Sequence, residues 1–389
     1  MVRLRLLPWE YGVRNLFRRP LRTGLTFLGL TIVVLLVAAV VGFVRGLERS
    51  LAVSGDERVA IVFARGMGEN LEYSSIPMRT ADLVSAGVGG VMTRYGQKYA
   101  SPELYLGTRV KLGEESEGRA GIVRGVTPSA LLVHNRVELL DGRWPEPGEV
   151  LVGRLAAAKL GLSSSELSNG RTLTLEGREW KASGTFAAAG ASFESELWCR
   201  LDDLQSALKR QDLSLVALTL APDATYSDVE LFCAERLDLE LQATRETDYF
   251  DSLREGYRPV RWMAWLVVWL VAGAGTLAGL NTMYGSVVGR VRELATLQTV
   301  GFLRRAIALS LLQEGLLLSS AASLAAAALA VTLFRGVTVR FTMSAIELLV
   351  DGPTLLIACG IGLRLGVVGA IPPAVRALRM PIVEGLKAV

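Results

Sequence analysis

Arg290, Arg292, Glu293, Arg304 and Arg305 stand close together in NTMYGSVVGRVRELATLQTVGFLRRA, residues 281–306, between two long apolar runs. Their chemistry is that of docking. Guanidinium groups and a carboxylate offer charge-assisted hydrogen bonds to a partner, and none of the five is a nucleophile. Val287, Val291, Leu294 and Gln298 share one helical face, while Arg292 and Thr296 lie on another. The spacing predicts that residues 281–300 extend the preceding apolar helix as one rigid lever. Gly301 then breaks it, and Arg304 and Arg305 begin the next apolar run. A plain basic connector accounts for the arginines, but not for the helical continuity or for Glu293 among them.

Catalysis finds little support in the rest of the chain. Its 389 residues contain one histidine, His134, and three cysteines, Cys199, Cys233 and Cys359, with no metal-ligand spacing among them. Cys359 lies in an apolar run and reads as a packed thiol. Cys199 and Cys233 are either two unrelated thiols or a pair, and their spacing does not decide. The sequence has no G-x-x-x-x-G-K-[ST] loop, no strand-linked G-x-G-x-x-G and no G-x-S-x-G. ATP-driven work would therefore come from a partner. The net charge of +4 is small, and no nucleic-acid partner is expected.

At 51% hydrophobic and 21% charged, the chain is too apolar for a soluble protein and too charged to lie wholly in a membrane. Four segments are long and apolar enough to cross a bilayer: 24–44, 262–285, 306–334 and 353–375. The first exceeds a signal-peptide core and reads as an uncleaved anchor. Basic residues crowd the flank before the first segment, the loop between the second and third, and the tail after the fourth. By the positive-inside rule both termini and the 286–305 loop face the cytoplasm. The region 46–258 then lies outside. Strand-like runs at 58–64, 171–177 and 213–220, with helix-like runs at 153–162, 201–210 and 226–237, predict a mixed α/β domain. The expected order is an N-terminal helix (1–22), a first span (23–45), the outer domain (46–258), a second span (259–285), the cytoplasmic helix (286–305), a third span (306–334), an outer loop (335–352), a fourth span (353–375) and a cytoplasmic tail (376–389).

Three further features are expected to position these parts. In PWEYGVRNLFRRP, Trp9, Val13, Leu16 and Phe17 share one face between two prolines. That predicts a basic amphipathic helix lying flat on membrane lipids, rather than a plain basic flank. Gly275 and Gly279, and Gly315, Ser319 and Ser323, recur every four residues, a spacing that lets spans pack closely within a dimer. Glu314 and Arg364 are the charges inside the third and fourth spans. Their depths, roughly 12 Å and 15 Å at the helical rise, predict a buried ion pair between those spans.

RVRELATLQTVGFLRRAI resembles the signature of ABC-transporter permeases of the MacB/FtsX (LolC/DevC-like) family. Arg290, Arg292, Glu293, Leu294, Ala295, Leu297, Val300 and Gly301 match it; Gln298 departs from the usual Arg or Lys. WEYGVRNLFRRPLRTGLTFLGL (9–30), VRGVTP (123–128), DGRWPEPGEVLVG (141–153), ESELW (194–198) and PPAVRALRMPIVEGLKAV (372–389) are similar to further phrases of the family, in order. The resemblance implies a four-span α-helical membrane protein with an α/β extracytoplasmic domain between spans one and two. It implies a multi-pass, non-catalytic subunit of a bacterial inner membrane. A dimeric cytoplasmic ATPase would hold the ATP and magnesium and seat Arg290, Arg292, Glu293, Leu294, Leu297 and Gly301 in a groove. A second permease chain, identical or paralogous, completes the assembly, with a periplasmic adaptor as a further partner. Work would be done on the outer side, by mechanotransmission, on a lipid, lipoprotein or peptide-like cargo. Other readings are an FtsX-like regulator of cell-wall hydrolases, a membrane receptor and a membrane-anchored enzyme. The last two lack a signalling module and a catalytic constellation respectively.

Overall fold

A computed structural model describes residues 9–18, 20–68, 70–113, 118–341 and 344–379. The last ten residues of the closing motif lie outside the described residues, as does the side chain of Trp9. The helices are α1 (Trp9–Arg18), α2 (Pro20–Ser54), α3 (Thr80–Gly87), α4 (Ala130–Val133), α5 (Ala156–Leu160), α6 (Leu201–Leu208), α7 (Tyr226–Glu235), α8 (Glu246–Gly256), α9 (Arg258–Val288), α10 (Val291–Thr299), α11 (Arg304–Phe334) and α12 (Gly352–Arg379). The chain forms two compact units. The first holds residues 1–45, 259–337 and 348–389; the second holds 46–258 and 338–347.

Unit 1 is helical. Helices α2, α9, α11 and α12 are each long and apolar enough to cross a membrane. Each runs past the apolar stretch that marks it in the sequence. Pro20 opens α2 at a position where its missing N–H costs nothing. Helices α11 and α12 pack closely against each other. A Cβ added to Gly366 would lie 2.2 Å from Ser319 Oγ, and one on Gly362 would lie 2.3 Å from Ser323 Oγ. One on Gly315 would meet Ala370 and the Gly366 carbonyl, each at 2.9 Å. Val34, Val37, Ala38 and Val41 of α2 pack with Val268, Ala326, Ala330 and Ala358 in a separate apolar cluster. The small residues expected to serve a dimer thus pack largely within one chain. Gly275 rests on Val33 and Leu365, while Gly279 has open space beside it.

Unit 2 is built on a ten-stranded mixed sheet. Its strands are β1 (Val59–Ala64), β2 (Ala100–Leu112), β3 (Arg119–Val126), β4 (Glu138–Gly142), β5 (Glu149–Gly153), β6 (Thr172–Leu175), β7 (Arg178–Ala187), β8 (Glu196–Arg200), β9 (Leu215–Thr219) and β10 (Leu241–Arg245). The order is β10-β1-β9-β2-β3-β8-β5-β7-β4, with β6 joining β7 and β2. Pairs β7/β5 and β8/β3 are parallel and the rest antiparallel. Strand β1 is apolar on both faces because both are covered. In β1, Ala60 and Val62 face the main core with Val84, Leu204 and Val229, while Val59, Ile61 and Phe63 face a second cluster with Val133 and Leu215. Cys199 and Cys233 are free, buried thiols, so they do not pair. The segment 338–347, expected as part of an outer loop, is a hairpin of Thr338–Phe341 and Ser344–Glu347 that belongs to unit 2. Ser195 holds it, accepting the Ala345 N–H at 2.8 Å. Nothing in the local pattern of 335–352 separates such a hairpin from a plain connector.

Gly142 closes β4 at φ +81°, and a Cβ there would fall 2.1 Å from the Ser183 carbonyl oxygen. Gly142→Ala is expected to cost about 3 kcal/mol, backbone strain and overpacking together. Gly177→Ala, at φ +74° with open space around it, should cost about 1 kcal/mol. Thermal unfolding of the detergent-solubilised chain separates the two; equal losses would contradict the packing described for Gly142.

Candidate functional site: the helix between the second and third spans

The expected single lever over 281–300 is two helices. Helix α9 stops at Val288, and α10 starts at Val291. The break falls at Gly289 and Arg290, with Arg290 at φ −129°, ψ 14°. Its cause is the inward turn of the Arg290 side chain. Nη1 lies 3.1 Å from Glu314 Oε1, and Nε donates to Glu293 Oε2 at 3.2 Å. The preceding glycine is a poor helix former and carries no side chain to obstruct the turn. The Arg290 and Glu314 side chains are 11% and 5% exposed, so the pair is shielded from solvent.

Glu314 therefore finds its partner in Arg290, not in Arg364 as its depth suggested. Gly362 and Gly366 turn toward α11, through Ser323 and Ser319. Arg364 lies two residues from each, about 200° around the helix, and it is exposed. Similar depth did not place the two charges on facing sides.

Two residues of α1 complete the cluster. Asn15 Nδ2 donates to Glu314 Oε1 at 2.7 Å, and Arg18 Nη1 donates to Glu293 Oε1 at 2.8 Å. A polar cavity of about 230 Å³ lies beside them, lined also by Arg22, Thr26, Thr282 and Ser286. The Arg18–Glu293 bridge has side chains 62% and 33% exposed and contributes about 0–1 kcal/mol. Asn15 and Arg18 carry no sequence signal linking them to residues nearly three hundred positions away. Leu16 packs inward beside Leu30 and Leu318, whereas Val13 and Phe17 are exposed. The expected apolar stripe is split between the unit's own packing and its surface.

Apolar packing fixes the orientation of α10. Leu294 is buried with Val287, Ile307, Leu311 and Ala374, and Leu297 and Phe302 pack against them. Leu294, expected as a contact to a partner, is thus a core residue of this chain, and Leu297 is half-buried at the edge of the same cluster. Gly301, at φ +100°, ends the helix. The Phe302 N–H bonds the Leu297 carbonyl and the Gly301 N–H that of Gln298, each at 3.1 Å. This is the Schellman closure. What remains outward is a short rim of Arg292, Thr296, Thr299, Val300, Leu303, Arg304 and Arg305. Three guanidinium groups beside Val300 and Leu303 suit a surface that is acidic and partly apolar.

The family model for the MacB-like periplasmic core domain matches residues 23–230. No curated protein matches the chain. Among solved structures, the periplasmic region of MacB from Actinobacillus actinomycetemcomitans is 12% identical, covering 52% of this chain and 94% of that one, with a TM-score of 0.39. The extracellular domain of the noncanonic ABC-type transporter YknZ from Gram-positive bacteria is 15% identical, covering 48% of this chain and 100% of that one, with a TM-score of 0.37.

Two outcomes follow from the geometry. Leu294→Ala is expected to cost about 2–4 kcal/mol, because it opens a cavity in a packed cluster. Glu314→Gln and Arg290→Gln, measured singly and together, should show a coupling of about 1–3 kcal/mol. Glu314→Gln with Arg364→Leu should be additive. Denaturant unfolding of the purified chain in detergent reads both, and coupling to Arg364 in place of Arg290 would reverse the pairing.

Proposed function

Since the chain belongs to the family of the MacB-like periplasmic core domain, whose model spans more than half of it, we propose that it is the permease subunit of an ABC transporter in a bacterial inner membrane. The α/β unit is carried between the first and second spans on the outer side, with both termini and α10 in the cytoplasm. The observation that carries this reading is the outward rim of α10, held in place by the buried Leu294 cluster and the Arg290–Glu314 pair. A separate cytoplasmic ATPase, binding ATP and magnesium, docks on that rim. A docked partner then pushes on a helix that cannot rotate independently, because its inner face is packed and Arg290, the residue just before it, is tied to α11.

Two permease chains assemble with the ATPase pair. The apolar groove of about 820 Å³ between α2 and α9, with Gly29, Gly275 and Gly279 on its walls, supports an intermolecular contact there. Small residues let helices approach in lipid, where burial of apolar surface alone gives little net drive. Export or extraction of a lipid, lipoprotein or peptide-like cargo proceeds by mechanotransmission to the outer unit, together with a periplasmic adaptor. The family membership supports the class; the nature of the cargo rests on the resemblance alone.

The double change Arg304→Glu with Arg305→Glu is expected to abolish copurification of the cognate ATPase and reduce its complex-dependent ATP hydrolysis at least tenfold, a loss of about 1.4 kcal/mol or more. Both side chains are exposed, and circular dichroism of the variant checks that the fold survives. Undiminished ATPase capture by this variant would defeat the docking assignment.

A further inference from the structure

The chain's one histidine sits at the centre of a buried charged cluster in unit 2. Glu103 of β2 places Oε1 2.7 Å from His134 Nε2, and its Oε2 accepts from Arg124 Nη1 of β3 at 2.6 Å. Arg124 also forks onto Glu196 of β8, with Nε and Nη2 at 2.7 Å and 2.8 Å from the two carboxylate oxygens. Its guanidinium lies 4.7 Å from the Tyr105 ring and 5.1 Å from that of Phe193. On the other side of the imidazole, Nδ1 lies 3.7 Å from Glu246 Oε1. Glu246 is the first residue of α8, and its Oε2 accepts the Asp56 backbone N–H at 2.9 Å. A cavity of about 70 Å³ borders the cluster and is also lined by Tyr249 and Tyr257.

The composition of this cluster limits its protonation. Three buried carboxyl groups face one guanidinium and one imidazole. With carboxyl groups beside both ring nitrogens, at 2.7 Å and 3.7 Å, the imidazolium is the form that presents an N–H to each side. With His134 charged, the cluster is electrically neutral when one carboxyl keeps its proton. Glu103 and Glu196 both accept hydrogen bonds from Arg124, whereas Glu246 does not. Glu246 has the weakest set of partners of the three, one backbone N–H and an imidazole 3.7 Å away, so it is the carboxyl that holds the proton, since a poorly partnered buried charge is costly.

The position of Glu246 matters because two distant segments meet there. A Cβ on Gly55 would fall 2.9 Å from Thr247 Cα. Arg136 hydrogen-bonds the carbonyls of Val53 and Gly55, and Asn135 reaches Asp56. These are the segments by which the chain leaves α2 and enters α8. We propose that His134 and Glu246 form a proton-operated lock that fastens the start of α8 to the segment following α2, tight when both are protonated and loosened as the surrounding pH rises. This goes beyond the permease reading and does not depend on an ATPase.

The electrostatics agree with the geometry. Burial pushes the Glu246 carboxyl from 4.5 up to about 7, against the opposing attraction of His134. Burial disfavours the charged imidazole, but Glu103 and Glu246 outweigh it and hold His134 above its ordinary 6.5. Glu103 is held down at about 2, because His134 and Arg124 outweigh its burial. A group whose pKa is raised favours the closed form below its ordinary value, and that preference is lost as pH rises through the raised value. For Glu246 the loss runs from 4.5 to about 7; for His134 it begins at 6.5 and continues upward. Glu103 acts at the acid extreme and leaves this window alone. As Glu246 loses its proton and His134 its charge, the buried carboxyl groups are left with less compensating positive charge around them. The neighbouring Tyr105 titrates well above its ordinary value because it is buried.

Hydrogen–deuterium exchange on the full chain in detergent tests the lock, using peptides covering 46–58 and 246–257. After correction for intrinsic exchange, protection should fall between about pH 5 and pH 8, approaching tenfold per pH unit for each proton released. Glu246→Gln should flatten this dependence, while Glu230→Gln, on the exposed side of α7, should leave it intact. Should Glu246→Gln fail to fold, the wild-type infrared spectrum decides. A protonated-carboxyl band present at about pH 5 and gone by about pH 8 supports the lock. Protection independent of pH, an undiminished slope in Glu246→Gln, or no such band overturns it.

Discussion

A carboxylate inside an apolar helix has to be answered, and the arrangement of unit 1 around its second and third long helices depends on that answer. Glu314 is 5% exposed and has little contact with solvent. Arg290 meets it, and doing so takes Arg290 out of helical geometry. That inward turn ends α9 and begins α10. The same side chain holds Glu293, and Glu293 in turn holds Arg18 of α1. One buried charge thereby fixes a helix break, the start of a second helix and the attachment of a third. Burying two charges is expensive and their attraction offsets it only in good geometry, so this pair specifies an arrangement more than it stabilises one.

The sequence carried the elements better than their partnerships. Apolar runs located all four long helices, because their length and lack of charge have few other physical explanations. Strands β1, β6 and β9 were legible from their β-branched and apolar runs. Gly301 was legible as a break because a left-handed turn at a helix end favours glycine. Leu294 was legible as part of an apolar face, but which body covers such a face is a tertiary fact. The cover turned out to be Ile307, Leu311 and Ala374 of the same chain. Glu314 illustrates the same limit. Its depth could be counted along the helix, but whether Arg290 or Arg364 shares its side depends on helix rotation and on a kink at Gly289. The helices' small-residue spacing likewise announced close packing without saying that α12 of the same chain would be the neighbour.

In unit 2 the sequence concealed a different feature. His134 is followed by no motif, and Glu103, Arg124, Glu196 and Glu246 are scattered across nearly a hundred and fifty residues. Only the strand order β2-β3-β8 brings three of them side by side. A central sheet covered on both faces leaves little water for such groups, so each polar atom there must find a partner among its neighbours. Trp198 follows this rule, donating its indole N–H to Glu196 at 2.8 Å.

The contact between α11 and α12 bears on where anything can travel. Gly315, Gly362 and Gly366 set the two helices so near that a single added methyl group would collide with the other backbone or its serines. A water file needs a tube several times wider than that, and a lipid tail or a peptide needs more. At these positions the seam leaves no room for an aperture, and the two helices are joined there as one plank. A substance carried through unit 1 would have to pass along some other boundary, and a force applied to either helix of the plank is delivered to both.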